Sequence, residues 1–292
     1  MTLSIIIINY NTFQLTCNCI LAVIEKTKEV DYEIILIDNA SKECDPEKFK
    51  QHFPKIKLIK SNTNLGFAGG NNLGLQTAKG EYILLLNSDT ELKNNAIDLA
   101  IQKLESDNKI GALSSKLRYP DGHLQYPANR FPNLKTEIKE LFRLNKFLSK
   151  QQRAEIFLGN EFDHLTEREC DWIWGTFFLT RRDIIDKLGG KLPDDFFMYA
   201  EDMQWCWKIK NLGYKIFYFS DAEVIHHLAA SSEIADENIR FYSKMLPNIF
   251  KTVAMQKGKL YATCLFLTKA MVHFSILNKR DFAKGKLILK TI

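Results

Sequence analysis

The sequence predicts an α/β protein built on a mainly parallel central sheet flanked by helices. Two observations carry this. Strand-length apolar runs alternate with helix-patterned segments from Leu3 to Ser106, the rhythm of βαβ units. Three of those runs stop abruptly in side chains that carry oxygen: Asn9-Tyr10-Asn11, Asp38-Asn39 and Asn87-Ser88-Asp89.

Leu3–Ile8 is aliphatic except at Ser4 and reads as the first strand. A helix follows over Thr12–Thr27, then a strand over Tyr32–Ile37. Phe49–Phe53 closes a second helix, and Ile56–Lys60 is a third strand. A short helix over Asn71–Ala78 precedes the strand Tyr82–Leu86, which is too short for a globular helix. Asn95–Ser106 is helical. Right-handed crossovers put the C-terminal ends of parallel strands on one edge, so Asn9, Asp38 and Asp89 are expected together there.

The pattern then weakens. Leu113–Tyr119 reads as a strand before the turn Pro120-Asp121-Gly122-His123. Leu134–Phe157 has helical spacing and reads as an insertion or lid. Periodicity returns over Asp171–Thr180. Helices are expected over Arg181–Leu188 and Met203–Leu212, each stopped by glycine, and a strand over Lys215–Phe219. The chain reads as helical after Ser232. Two domains are expected: 1–235, catalytic, and 236–292, a helical extension.

Six cysteines, none in C-x-x-C spacing, suggest free thiols in a reducing compartment. The N-terminus shows neither a basic n-region nor a cleavage site. Net charge is +5, but Phe241–Ile292 alone carries +9, leaving −4 for the rest. Such a tail suits an anionic membrane surface, although Tyr261–Leu277 reads equally as a helix packed on the catalytic domain. No nucleic-acid motif is present, and nucleic acid is not an expected partner.

Several clusters carry chemistry. Asn-Ser-Asp at 87–89 offers hard oxygen ligands to Mg²⁺ or Mn²⁺ held jointly with a diphosphate, or else forms an ordinary turn. Asp38 can accept a base N–H or cap a helix. The glycine-rich run 64–74 suggests close backbone approach, with a helix starting near Asn71 and offering its N–H groups to an anion, or else a surface loop. Glu201-Asp202 stands among aromatic residues, which raise a carboxyl pKa toward that of a useful general base, although acidic pairs also complement a helix dipole. His226 suits either a core role or ligation of the metal held by Asp89.

In order, these segments resemble family 2 glycosyltransferases of the GT-A fold, over Leu3 to Ser232. The matching elements are Ile-Ile-Ile-Asn-Tyr-Asn at 6–11, Ile-Asp-Asn-Ala-Ser at 37–41, Asn-Leu-Gly-Phe-Ala-Gly-Gly-Asn-Asn at 64–72 and Leu-Asn-Ser-Asp at 86–89. Trp-Gly-Thr-Phe at 174–177, Phe-Met-Tyr-Ala-Glu-Asp at 197–202 and Val-Ile-His-His at 224–227 complete the set. The subgroup most resembled is the bacterial rhamnosyltransferase-like one, which builds cell-surface polysaccharides. The resemblance implies a dTDP- or UDP-sugar donor, a divalent metal, a glycan acceptor on a lipid carrier, and a cytoplasmic location that includes the inner membrane face.

It further implies roles. Asp38 reads the base and Asn9 helps hold the nucleotide. Asp89 binds the metal, with His226 near it or the diphosphate. Asp202 deprotonates the acceptor hydroxyl in a single inverting displacement. The donor-binding set drawn from the same motifs is Asn9, Asn11, Asp38, Asn64, Gly66, Asn71, Asn87, Ser88, Trp174, Gly175 and Glu201. There are departures: Asn87 stands where many relatives have Asp, and Gln204 and Lys208 stand where Asp and Arg are usual. These leave open a catalytically silent scaffold subunit. A nucleotidyltransferase would need a glycine-rich basic loop straight after the first strand, which Asn9-Tyr10-Asn11 does not supply.

Overall fold

The computed structural model describes residues 2–227, 237–276 and 279–292. The expected domain boundary at 235/236, the stretch around Ser232 and Leu277 lie outside the described residues. In chain order the first elements are β1 (Leu3–Asn9), α1 (Phe13–Lys26), β2 (Tyr32–Asp38), α2 (Glu47–His52), β3 (Lys57–Lys60), α3 (Gly66–Leu75) and β4 (Tyr82–Asn87). Then come β5 (Thr90–Leu92), α4 (Ala96–Ser106), β6 (Ile110–Arg118), β7 (Ala128–Asn129), α5 (Leu134–Leu141), α6 (Lys150–Phe157), β8 (Arg168–Cys170) and β9 (Trp172–Ile173). They are followed by β10 (Phe177–Arg181), α7 (Arg182–Lys187), α8 (Glu201–Asn211) and β11 (Lys215–His226). Three helices close the chain: α9 (Glu237–Lys257), α10 (Lys259–Ser275) and α11 (Lys279–Thr291).

The main sheet runs β3-β2-β1-β4-β10-β6-β11-β5, with β8 on β11. Its first half is parallel, and Asn9 pairs in register with Asp38. β10 then enters antiparallel between β4 and β6, so the sheet as a whole is mixed. This reversal matters for function. An antiparallel strand starts where its neighbour ends, so residues preceding β10 lie beside the C-terminus of β4. Asn87 N–H accordingly donates to Thr176 O at 3.0 Å.

Both faces of the sheet are covered, as a near-continuous apolar strand requires. Ile5 and Ile7 face one core with Ile20, Val23, Ile97 and Leu104, while Ile6 faces the other with Ala68, Leu75 and Leu85. Helix α3 lies very close to β1: a Cβ added at Gly74 would stand 2.6 Å from Ile6 Cγ2. The helix expected from Asn71 begins at Gly66 instead. Gly66 adopts φ +71°, which admits the chain into the helix five residues early. Asn71 is therefore inside the helix, its amide spent on Phe67 O at 3.0 Å, and it offers no helix-start N–H to an anion.

Tyr261–Ile276, the described part of the tail segment, is not a free amphipathic strip. Ala262, Leu265, Phe266 and Ala270 are buried against Leu246, Phe250 and Val253 of α9 and Ile288 of α11. Lys269 pairs with Glu137 of α5 at 2.9 Å, and Tyr261 Oη accepts from Leu134 N–H at 2.9 Å. Packing on the rest of the protein is thus the reading that holds for α10. Among the described residues no helix is long and apolar enough to cross a membrane. All six cysteines are free.

Candidate active site

The edge at the C-termini of β1, β2 and β4 is assembled from short polar segments that bond one another. Asn9 donates from Nδ2 to Asp38 Oδ1 and to Ser41 Oγ, each at 2.9 Å. Its Oδ1 accepts from Thr12 Oγ1 at 3.1 Å and Thr16 Oγ1 at 3.0 Å. The Asn9 amide is occupied by the protein, and its effect is to fix the Asp38 carboxylate. Asp38 Oδ2 accepts from Ser41 N–H at 3.2 Å, which leaves acceptor capacity on both oxygens. Asn11, exposed and left-handed at φ +55°, accepts from Lys42 N–H at 2.7 Å. Ser88 Oγ meets Thr12 Oγ1 at 3.2 Å and so joins β4 to the start of α1.

Asn39 ties this edge to the glycine-rich segment. Its Nδ2 donates to Asn64 Oδ1 at 3.0 Å and Gly66 O at 3.2 Å, while its Oδ1 accepts from Leu65 N–H at 2.9 Å. The run 64–74 is therefore an anchored bend and helix rather than a surface loop. Gly66 is required by contact as well as by φ. A Cβ there would sit 2.1 Å from Phe197 O, and Phe67 N–H donates to that same carbonyl at 3.1 Å.

Phe197 begins the turn that delivers Glu201-Asp202. Tyr199 and Ala200 adopt φ +74° and +68°, two successive left-handed residues immediately before α8. Such conformations persist only where the surroundings hold them. Asp202 Oδ2 accepts from Gly175 N–H at 3.2 Å, and its Oδ1 from Met203 N–H at 2.8 Å. Gly175 packs on the Phe67 ring: a Cβ there would come within 2.6 Å. Trp174 lies against the core beside it. Gly175-Thr176 thus bonds Asp202 on one side and Asn87 on the other, which links the start of α8 to the C-terminal end of β4, just before Asp89.

Burial pushes Asp202 well above the usual carboxylate range, partly offset by its backbone hydrogen bonds. Burial raises Glu201 as well, with the Asp202 charge adding to it. Glu201 Oε2 is buried without a hydrogen-bond partner among the described residues.

His226 ends β11 opposite Thr90. Its Nε2 lies 3.4 Å from Asp89 Oδ1, and both side chains are nearly inaccessible, at 5% and 7% exposure. Gln125 fixes the ring. Its Nε2 donates to His226 O at 2.7 Å, so its Oε1 is the atom that faces His226 Nδ1 at 2.8 Å. An amide oxygen only accepts, so Nδ1 carries a proton and Nε2 is the ring nitrogen that faces Asp89. An unprotonated Nε2 and the Asp89 carboxylate would together accept a cation between them. Among the described residues no group of three His, Cys, Asp or Glu side chains converges. A hard divalent ion held by Asp89 and His226 would take its remaining oxygens from a diphosphate and water. Asn87 Nδ2 lies 3.5 Å from His226 Nε2 and brings no charge.

Gln125 was not legible in the sequence: it follows an unremarkable turn and meets His226 only across 101 positions. Gln204, a departure from the family pattern, donates to Asp195 Oδ2 at 2.8 Å and serves the packing of α8.

A mixed sheet with flanking helices, strand-end acids at one edge and a carboxylate at the start of a later helix define a GT-A glycosyltransferase. The chain belongs to Glycosyl transferase family 2, whose family profile matches residues 4–189. It is 25% identical over 223 residues to the N-acetylglucosaminyl-diphospho-decaprenol L-rhamnosyltransferase of Mycobacterium tuberculosis, covering 73% of this chain and 72% of that protein. It is 26% identical over 223 residues to rhamnosyltransferase WbbL of Escherichia coli, covering 73% and 77%. Its fold is similar to that of the mannosyltransferase PcManGT from Pyrobaculum calidifontis, solved with GDP-Man and Mn²⁺. The TM-score is 0.62 at 18% identity, covering 99% of this chain and 74% of that one.

Proposed function

We propose that this glycosyltransferase moves a hexose, of the rhamnose type, from a dTDP- or UDP-sugar to a hydroxyl of a cell-surface glycan precursor, with inversion. The observation that carries the reading is the double use of Gly175-Thr176, which ties Asp202 to the end of β4. The names of the mycobacterial and Escherichia coli relatives support the sugar, and the decaprenol in the first supports an acceptor on a lipid carrier.

Asp38, held by Asn9 and Ser41, accepts the imide N–H of a uracil or thymine ring. Asn11, Asn64, Gly66, Asn87, Ser88, Trp174 and Gly175 shape the donor side of the cleft. Asn9 acts through Asp38, and Asn71 acts through the α3 bend. Glu201 stays a neutral acid beside Asp202, because two adjacent buried carboxylates do not both ionise readily. Asp202 takes the proton of the acceptor hydroxyl. The oxygen then bonds to the anomeric carbon as the bond from that carbon to the diphosphate oxygen breaks. Asp89 and His226 would hold a divalent ion, which when bound would offset the charge that develops on the leaving diphosphate.

The test is turnover of a nucleotide-sugar panel with Asp202→Asn. A positioned base contributes about 10²–10⁴-fold, so a loss of that size is expected. Near-normal turnover removes Asp202 as the base. Calorimetry with UDP or dTDP and Mn²⁺ separates an enzyme from a silent scaffold, which would show no metal-dependent nucleotide binding.

A further inference from the structure

Two segments far apart in sequence form one basic and aromatic rim. The turn after α5 exposes Phe142 at 68% and Phe147 at 87%, with Leu144 between them. Arg143 Nη2 reaches Ser275 O at 3.5 Å, which seats this turn against the end of α10. There Met271 and Ile276 are exposed. Phe274 packs on Phe282 of α11 at 5.2 Å between ring centroids, and Phe282 is itself half exposed. Lys286 Nζ lies 4.8 Å from the Phe282 ring centroid, and Arg143, Lys146, Lys150, Lys279, Arg280 and Lys286, on the same two segments, are all exposed. Residues 142–153 contain no acid. Exposed aromatic tips on segments rich in exposed cations suit the interface of an anionic bilayer, into which rings insert while ammonium and guanidinium groups meet phosphates.

We propose that this rim, and not the packed face of α10, docks the enzyme on an anionic lipid surface. The inference rests on the reading of a membrane-borne acceptor. The experiment is flotation of the full chain with vesicles of phosphatidylglycerol and phosphatidylcholine, and with phosphatidylcholine alone. Wild type is expected to float with the anionic vesicles and to be released as salt rises. The double variant F142S/F147S is expected to bind at least tenfold more weakly while keeping its turnover on a soluble acceptor. Flotation of that variant equal to wild type, or no wild-type association at low salt, overturns the proposal. Turnover on a soluble acceptor despite absent flotation sinks the docking surface and leaves the catalytic reading standing.

A different observation carries a second inference. Asn248 of α9 donates from Nδ2 to both Met198 O and Tyr199 O, each at 3.0 Å. These are the carbonyls of the turn whose left-handed residues lead into Asp202. Phe67 N–H holds the same turn through Phe197 O. We infer that Asn248 is a positioning residue for Asp202, which makes the C-terminal helices part of the active-site scaffold. Asn248→Asp keeps the shape and removes the donor. It is expected to lower kcat about 10–100-fold with little change in donor KM, because misplacement of a base acts on the chemical step. Asn248→Ala replaces it should the aspartate variant fail to fold. Thr252→Val, on the same helix, where Thr252 Oγ1 donates to Asn248 O, is expected to keep wild-type kcat. Retention of kcat by both Asn248 variants overturns the inference. If Asp202→Asn is inactive in the same assay, the base assignment stands regardless.

Discussion

Gly66→Ala tests whether the bend at the start of α3 sets the position of Asp202, the proposed base. The added methyl faces two separable penalties. The first is the left-handed backbone at φ +71°, worth about 1–2 kcal/mol for an L-residue. The second is steric: the new Cβ would lie 2.1 Å from Phe197 O and 2.9 Å from Phe197 C. A backbone carbonyl cannot swing aside as a side-chain tip can, so the turn from Phe197 to Ala200 must shift by about 1 Å or more. A displacement of that size at a reacting group costs on the order of 10²-fold in rate. The strained contact should bring the total stability loss to about 3 kcal/mol. Gly122→Ala is the control: its φ is +89°, yet an added Cβ meets nothing within 4 Å. It should lose only the backbone cost and keep full turnover. Urea denaturation and steady-state turnover of both variants give the comparison. If Gly66→Ala matches Gly122→Ala in rate, the bend does not position Asp202.

Two further outcomes follow from the same site. Glu201 has its pKa raised by burial, so between its unfolded and folded values the native state binds more protons than the unfolded state. Stability then falls as pH rises through that window. Glu201→Gln, which mimics the neutral acid, should flatten the decline, as read by denaturation midpoints from pH 5 to 9; an unchanged slope would assign the pH dependence to other groups. Gln125→Leu leaves His226 Nδ1–H and His226 O without their partner, at a cost of about 2–4 kcal/mol. Calorimetry should show weaker Mn²⁺-dependent UDP binding in that variant, and undiminished binding would show that the ring needs no such anchor.

Local chemistry determined much of this protein. The four isoleucines of β1, the apolar run of β4 and the oxygen-bearing residues at their ends are read by side-chain period and composition, which act over a few residues. Parallel connections then put Asn9, Asp38 and Asp89 at one edge without any knowledge of the remainder. Tertiary structure decided what depends on partners distant along the chain. The antiparallel entry of β10 brought Gly175-Thr176 between Asp202 and Asn87, a relation that no local pattern encodes. Gly66 opened α3 early because its backbone must clear Phe197, 131 positions away. Gln125 set the tautomer of His226, Asn248 gripped the turn before Asp202, and Lys269 found Glu137. Hydrogen bonds of this reach carry no sequence period, since their geometry exists only after the sheet and helices have packed.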